Sequence, residues 1–230
     1  LIISRLPHLR SEAKLDSLLS REAFFLLNNL VLVGLCLVIM WGTFFPLISE
    51  AITGTEASVG PPWFDRLVTP LALVLVLLTA IGPMLAWRRF TPAALWRVGW
   101  VPVTVAGVTL VALLALTDAA DSPASLAMFC LVALVLAAVG QELWRGTVAR
   151  RTMTGEAWPR ALARLTGRNR RRYGGFLVHA GIAVLFLGVA ASSAFVQQRD
   201  VRARPGDTFG VDGYQVTYRK ATAKLGGDYS

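Results

Sequence analysis

Arg-Arg-Arg-Tyr-Gly-Gly-Phe-Leu-Val-His-Ala-Gly-Ile-Ala-Val-Leu-Phe-Leu-Gly-Val-Ala-Ala-Ser-Ser-Ala-Phe-Val, residues 170–196, is the stretch whose reading decides the fold. It opens on a basic cluster, Arg170, Arg171 and Arg172, with Arg168 just before it. From Tyr173 to Val196 it contains no Lys, Arg, Asp or Glu. A helix of that length crosses a bilayer, whose roughly 30 Å hydrocarbon core needs about 20 apolar residues. One titratable side chain, His179, stands inside the run. A polar group in hydrocarbon is expensive and faces a bundle interior or a cofactor.

The rest of the chain has the same character. Of its 230 residues 55% are hydrophobic and only 16% are charged, and the mean hydropathy is +0.56. Such a composition excludes an ordinary soluble domain and predicts an integral membrane protein. The net charge of +9 does not point to nucleic acid, because most of the positive residues cluster in the loops on one side of the apolar runs. Cys36 and Cys130 lie singly within apolar runs, without a CxxC pattern, and read as small packing side chains.

Four further apolar runs precede the opening stretch, at about 23–48, 68–87, 98–116 and 123–143. With 173–196 they give five transmembrane helices, an all-α polytopic membrane protein. Ser20 and Glu22 suit the start of the first helix. Asn28 and Asn29 within it are expected to face other helices. Between the first two spans lies Ser58-Val-Gly-Pro-Pro-Trp-Phe-Asp65, whose Gly60-Pro61-Pro62 fixes a stiff, extended or turned backbone. Trp63 and Phe64 suit an interfacial aromatic belt.

Charge gives the orientation. Residues 1–22 hold 4 Lys and Arg, 88–97 hold 3 and 145–172 hold 9, against one in 48–67 and none in 117–123. The positive-inside rule then places residues 1–22 in the cytoplasm and the C-terminal tail outside. Within the basic connection, Trp158, Ala161, Leu162 and Leu165 have helical spacing. They predict either a short helix lying on the membrane surface or a solvated connector anchored by arginines to anionic lipid.

The tail changes period. Thr208–Val211 and Tyr214–Tyr218 flank Asp212-Gly213, a hairpin signal, and Tyr214, Val216 and Tyr218 alternate with polar residues as in a half-buried strand. Residues 1–198 are therefore expected to form the transmembrane region, and 199–230 the start of a small extracytoplasmic β-rich domain. The chain begins at Leu1 and stops at Ser230 in an unfinished β region, which suggests a piece of a longer protein or a split subunit.

On a helix, the neighbours of His179 at three, four and seven residues are Arg172, Gly175, Phe176, Ile182, Ala183 and Phe186. Gly174, Gly181 and Gly188 recur every seven residues on the opposite side, a seam for close helix packing. Small Gly175 and Ala183 beside flat Phe176 and Phe186 would suit a porphyrin ligated through the imidazole, with Arg172 near its propionates. A buried histidine hydrogen-bonded to another helix fits the same pattern. His8, before the first span, reads as an ordinary exposed residue. No phosphate-binding glycine loop, HExxH or Ser/His/Asp set is present. A transporter or proton-relaying subunit would want intramembrane carboxylates, and a structural scaffold without haem would want nothing beyond packing.

Five stretches together resemble the C-terminal part of the CcmF/NrfE family of cytochrome c-type biogenesis proteins, the haem lyase component of the multi-subunit (System I) pathway. They are Ser20–Asn29, Gly42-Thr-Phe-Phe-Pro-Leu47, Ser58–Asp65, Ile81-Gly-Pro-Met84 and Arg171–Phe186. The resemblance implies that His179 is one of two axial ligands of a haem b, beside the neighbours Arg172, Gly175, Phe176, Ala183 and Phe186 already placed by helical spacing. It implies a location in the bacterial inner membrane. It also implies delivery of haem from the periplasmic chaperone CcmE to apocytochrome c CxxCH thiols, with CcmH/CcmI-type subunits handling the apocytochrome. The family's tryptophan-rich WWD segment, its two periplasmic histidines and the second transmembrane histidine are absent from this chain, so no catalytic residue is assigned here. The other half of the ligand pair would come from the N-terminal part of the same protein or from a split subunit. Ser58, Gly60, Pro61, Pro62 and Trp63 are read as a stiff periplasmic support loop or a purely structural corner, with Asp65 where the family commonly has Asn.

Overall fold

A computed structural model describes residues 21–55, 57–84, 91–194, 201–211 and 213–221. Ser20, His8, the ends of the second and fifth expected spans and the last nine residues lie outside the described residues. Residues 1–194 and 195–230 form separate compact units.

The first unit is helical. Helix α1 covers Arg21–Thr53, α2 Pro61–Ile81, α3 Pro92–Leu116, α4 Pro123–Thr154, α5 Trp158–Arg168 and α6 Arg170–Ala194, with single 3-10 turns at Gly82–Met84 and Ala119–Asp121. All of these except α5 are long and apolar enough to cross a membrane. Water is not available to backbone groups in hydrocarbon, so the chain satisfies them within helices. Hydroxyls follow the same logic. Thr79, Thr104, Thr109 and Thr147 each donate to the carbonyl four residues back, at 2.8, 2.8, 2.9 and 2.7 Å.

Helix α4 is the centre of the bundle, packing against α2, α3, α5 and α6. Its Met128, Phe129, Val132, Val135 and Val139 join Ala72, Val76 and Ala80 of α2 with Tyr173, Phe176, Ala183 and Ala190 of α6 in one buried core. Helix α1 lies against α2. The contact closes over Gly42: a Cβ there would sit 2.5 Å from Phe64 Cζ and 2.7 Å from Trp63 Cζ3. No real side chain tolerates that approach, so a glycine is required for α1 and α2 to meet.

Segment 58–65 divides, where a continuous stiff loop was expected. Gly60 is extended (φ −84°, ψ 174°) and Pro61 opens α2. Proline is suited to a first helical position because it lacks only an N–H that would have no helical partner. Trp63 and Phe64 are therefore helical and half-buried on α1 rather than free in an interfacial belt. Asn28 is half-buried and Asn29 exposed, so the expected turn of both amides toward neighbouring helices is not found among the described helices.

Three prolines, Pro46, Pro70 and Pro102, lie inside helices. Each deprives the carbonyl four residues earlier of its N–H partner. At Pro102 the orphan is Val98, and α4 supplies the donor: Gln141 Nε2 donates to Val98 O at 3.0 Å.

Helix α4 has 32 residues, about 48 Å at 1.5 Å per residue, so its basic end must emerge from a core roughly 30 Å thick. It ends at Gly155 (φ 68°), whose N–H bonds Arg151 O, a left-handed cap that glycine adopts without strain. Helix α5 then folds back on this extension. Ala161 is fully buried, Trp158 stacks on Trp144 at 5.1 Å, and Leu165 would touch a Cβ at Gly146 at 2.8 Å. Thus the short helix expected from the 158–165 periodicity forms, but its apolar face is spent on α4 and not on lipid.

The second unit carries a hairpin, β1 (Thr208–Val211) paired antiparallel with β2 (Tyr214–Thr217) in the register Thr208 to Thr217 and Val211 to Tyr214. Gly213 (φ 79°) takes the left-handed turn position. The whole of β2 is exposed, not half-buried, because a two-stranded ribbon has no second layer to cover either face.

Candidate functional site

The candidate site lies on the first half of α6, which is positioned from both sides. Asn169 O accepts from the N–H groups of Arg172 and Tyr173, each at 3.1 Å, so α6 starts directly after α5. Tyr173 and Phe176 are buried and meet edge to face at 5.8 Å. Tyr173 Oη and Leu165 close over Gly146 of α4, leaving no room for a Cβ. The Arg172 guanidinium lies 5.8 Å and 5.9 Å from the Tyr173 and Phe176 ring centroids. Its Nη2 donates to Glu142 Oε2 at 2.8 Å. Arg172 thus ties α6 to α4 at the end of the apolar stretch of α4.

Two turns further along, about 10 Å at 1.5 Å per residue, stands half-buried His179. Its Nδ1–H donates to Gly175 O at 2.7 Å within the same helix. A carbonyl only accepts, so Nδ1 carries the proton, and in the neutral ring the lone pair is left on Nε2. This is the arrangement that orients a metal-ligating histidine: one ring nitrogen is fixed by a carbonyl and the other is free to bind. Among the described residues no group of three or more His, Cys, Asp and Glu could hold a metal ion.

The residues expected around that cofactor divide between two roles. Phe176 and Ala183 are buried in the interface with α4, and Phe186 packs partly against it. Gly175 has nothing within 4 Å of where a Cβ would stand, so the open flank of His179 is on that side. The glycine seam is also reversed from expectation. Gly174, Gly181 and Gly188 face open space, and the Phe/Ala side meets α4. Bulky Phe129, Val132 and Val135 on α4 gain more contact from Phe and Ala than from glycine. Ser58, Gly60, Pro61, Pro62 and Trp63 sit elsewhere, at the start of α2 against α1. Glu142, Gln141 and Gly146 carry much of the positioning and were not singled out from sequence. Their partners lie on other helices, 30 residues away for Glu142 and 43 for Gln141.

At the far end of α4, Glu156 gathers three arginines. Arg150 Nε donates to it at 3.0 Å, Arg164 donates to its other oxygen, and Arg151 Nε donates to its backbone carbonyl at 3.3 Å. The hydrogen bond from Arg150, seconded by Arg164, holds the Glu156 carboxyl below its ordinary pKa against the opposing effect of desolvation.

An oriented, half-buried imidazole on a membrane-crossing helix defines a multi-pass membrane protein with a candidate cofactor ligand. Comparison with known proteins shows what the chain is similar to. The chain is 35% identical over 218 residues to the cytochrome c-type biogenesis protein CcmF of Pseudomonas fluorescens, covering 94% of this chain and 31% of that one. It is 35% identical over 227 residues to CcmF of Pseudomonas aeruginosa, covering 98% and 33%. It is 24% identical over 215 residues to the cytochrome c-type biogenesis protein NrfE of Haemophilus influenzae, covering 92% and 31%. Over nearly its whole length the chain is homologous to the cytochrome c-type biogenesis proteins of the CcmF/NrfE family and corresponds to a segment of them. It spans about a third of the length of these relatives. No family model and no solved structure matches it.

Proposed function

We propose that this chain is the haem-holding membrane segment of a cytochrome c maturation protein, with His179 as one axial ligand of a haem b. The observation that supports the reading is the Nδ1–H bond to Gly175 O, 2.7 Å, which leaves the Nε2 lone pair available to a metal. Haem b, when bound, supplies a one-electron redox centre. The chain's own residues orient and shelter it. Gly175 fixes the imidazole and leaves its flank open. Phe176, Ala183 and Phe186 anchor the helix that carries His179. Arg172, seven residues before His179 on the same helix, would serve a propionate by sharing its guanidinium with Glu142.

The second axial histidine comes from the rest of the protein or from a split subunit. In the same reading the assembled protein takes haem from the periplasmic chaperone CcmE. It passes the haem to apocytochrome c presented by CcmH/CcmI-type subunits, where thioether bonds form at CxxCH. In the same reading the chain lies in the bacterial inner membrane with its basic loops cytoplasmic and its hairpin unit periplasmic, an orientation that the charge asymmetry supports. Segment 58–65 then serves as a periplasmic corner that braces α1 against α2.

The test is made in cells that depend on the full-length protein for c-type cytochromes. His179→Ala is expected to cut covalently bound haem in cytochrome c by about tenfold or more, the loss of one of two axial ligands, with the protein still inserted in the membrane. Undiminished cytochrome c in the variant would overturn the proposal and return His179 to a structural role.

A further inference from the structure

One end of the bundle combines two features. The contact between Gln141 of α4 and Val98 of α3 sets residues 96–100 and 141–145 at one level. The Arg172–Glu142 pair brings the start of α6 to it. Three tryptophans at this level stand out from the protein: Trp96, Trp100 and Trp144 are 66%, 53% and 58% exposed. Exposed tryptophans at one level of a membrane bundle mark the headgroup zone.

The arginines of this end fall into two sets. Arg150, Arg151 and Arg164 are collected by Glu156 on the protruding α4–α5 turn, and Arg172 by Glu142. By contrast Arg97, Arg145, Arg160, Arg168, Arg170 and Arg171 are exposed and have no ion-pair partner among the described residues. Arg97 adjoins Trp96, Arg145 adjoins Trp144, and Arg170 and Arg171 open α6. Of these six, Arg160 and Arg168 belong to α5, and the other four lie at the tryptophan level. A guanidinium presents a fork of donors matched to phosphate oxygens, and phosphates are what the headgroup zone supplies.

We infer that Arg97, Arg145, Arg170 and Arg171 form a collar that binds the phosphates of anionic phospholipid headgroups around this end of the bundle. The tryptophans favour a lipid over a soluble anion or an acidic protein segment, because they hold these four side chains at headgroup depth.

The experiment uses the full-length protein in detergent, with equal amounts of phosphatidylglycerol and phosphatidylcholine, read by native mass spectrometry. Phosphatidylglycerol should be retained about tenfold over phosphatidylcholine. The preference should vanish in R97Q/R145Q/R170Q/R171Q and persist in R66Q, a like change at the opposite end of α2. A preference that is absent from the wild type, survives the fourfold change, or is equally lost in R66Q overturns the collar. Thermal unfolding of the wild type gives a second reading that needs no variant. Phosphatidylglycerol should raise the melting temperature and phosphatidylcholine should not. An equal rise with sodium phosphate alone would show that a soluble anion, and not lipid, is what the arginines bind.

Discussion

A glycine at position 42 has no conformational reason to be there, since it sits in an ordinary helix. Its reason is the 2.5 Å that would separate a Cβ from Phe64. Gly42→Val is therefore expected to destabilise the helical unit by about 1–3 kcal/mol, the usual cost of overpacking, measured by thermal unfolding in detergent. Adding Phe64→Ala should recover most of that loss. In sequence the two motifs, Gly42–Leu47 and Ser58–Asp65, stood apart, and nothing in either announced that one is the socket of the other. His179 was the opposite case. One titratable side chain in an apolar run draws attention by its cost alone. What the sequence could not supply was its tautomer, because that depends on a carbonyl one turn back and on the χ angles that bring Nδ1 to it.

Elements are held by pairs that cross between helices. Pro102 interrupts α3 and exposes the Val98 carbonyl, and Gln141 on α4 answers it. Gln141→Leu should cost about 1–3 kcal/mol, the penalty of a buried carbonyl without a donor. In a Pro102→Ala background the alanine N–H reaches Val98, so the cost of Gln141→Leu should fall toward zero in a double-mutant cycle. The α4–α5 turn gives a pH-dependent case. The folded pKa of Glu156 is depressed by Arg150 and Arg164. Its contribution is therefore present above the ordinary carboxylate pKa of about 4.3 and lost as pH falls through the lower folded value. Hydrogen-exchange protection across residues 150–165, taken relative to the intrinsic amide rate at each pH, should fall in that acidic window, and Glu156→Gln should show low protection at neutral pH and little further loss on acidification. The periodicity of 158–165 showed that α5 would form. Its partner was hidden, because an apolar stripe beside arginines describes a membrane-surface helix and a helix packed on a neighbour equally well.

For the whole molecule, five apolar helices and a basic end were legible from composition and charge, since both are additive properties of the chain. Which helix stands at the centre was not. Helices α1 and α4 are nearly equal in length, yet α4 is buried among four neighbours and α1 leans on α2. The difference arises from side-chain fit, Phe129 and three valines of α4 against alanines and aromatics of α2 and α6, which no single-helix pattern reports. The hairpin at 208–217 was readable from Asp212-Gly213, but its exposure was not, because burial depends on what packs over it. At this scale α6, packed on the central α4, presents the imidazole proposed to ligate a haem b. The most direct measurement is the reduced-minus-oxidised visible spectrum of the purified full-length protein and of His179→Ala at equal protein concentration. The account predicts a haem b Soret and α-band in the wild type and their loss in the variant. An unchanged spectrum in His179→Ala would contradict it.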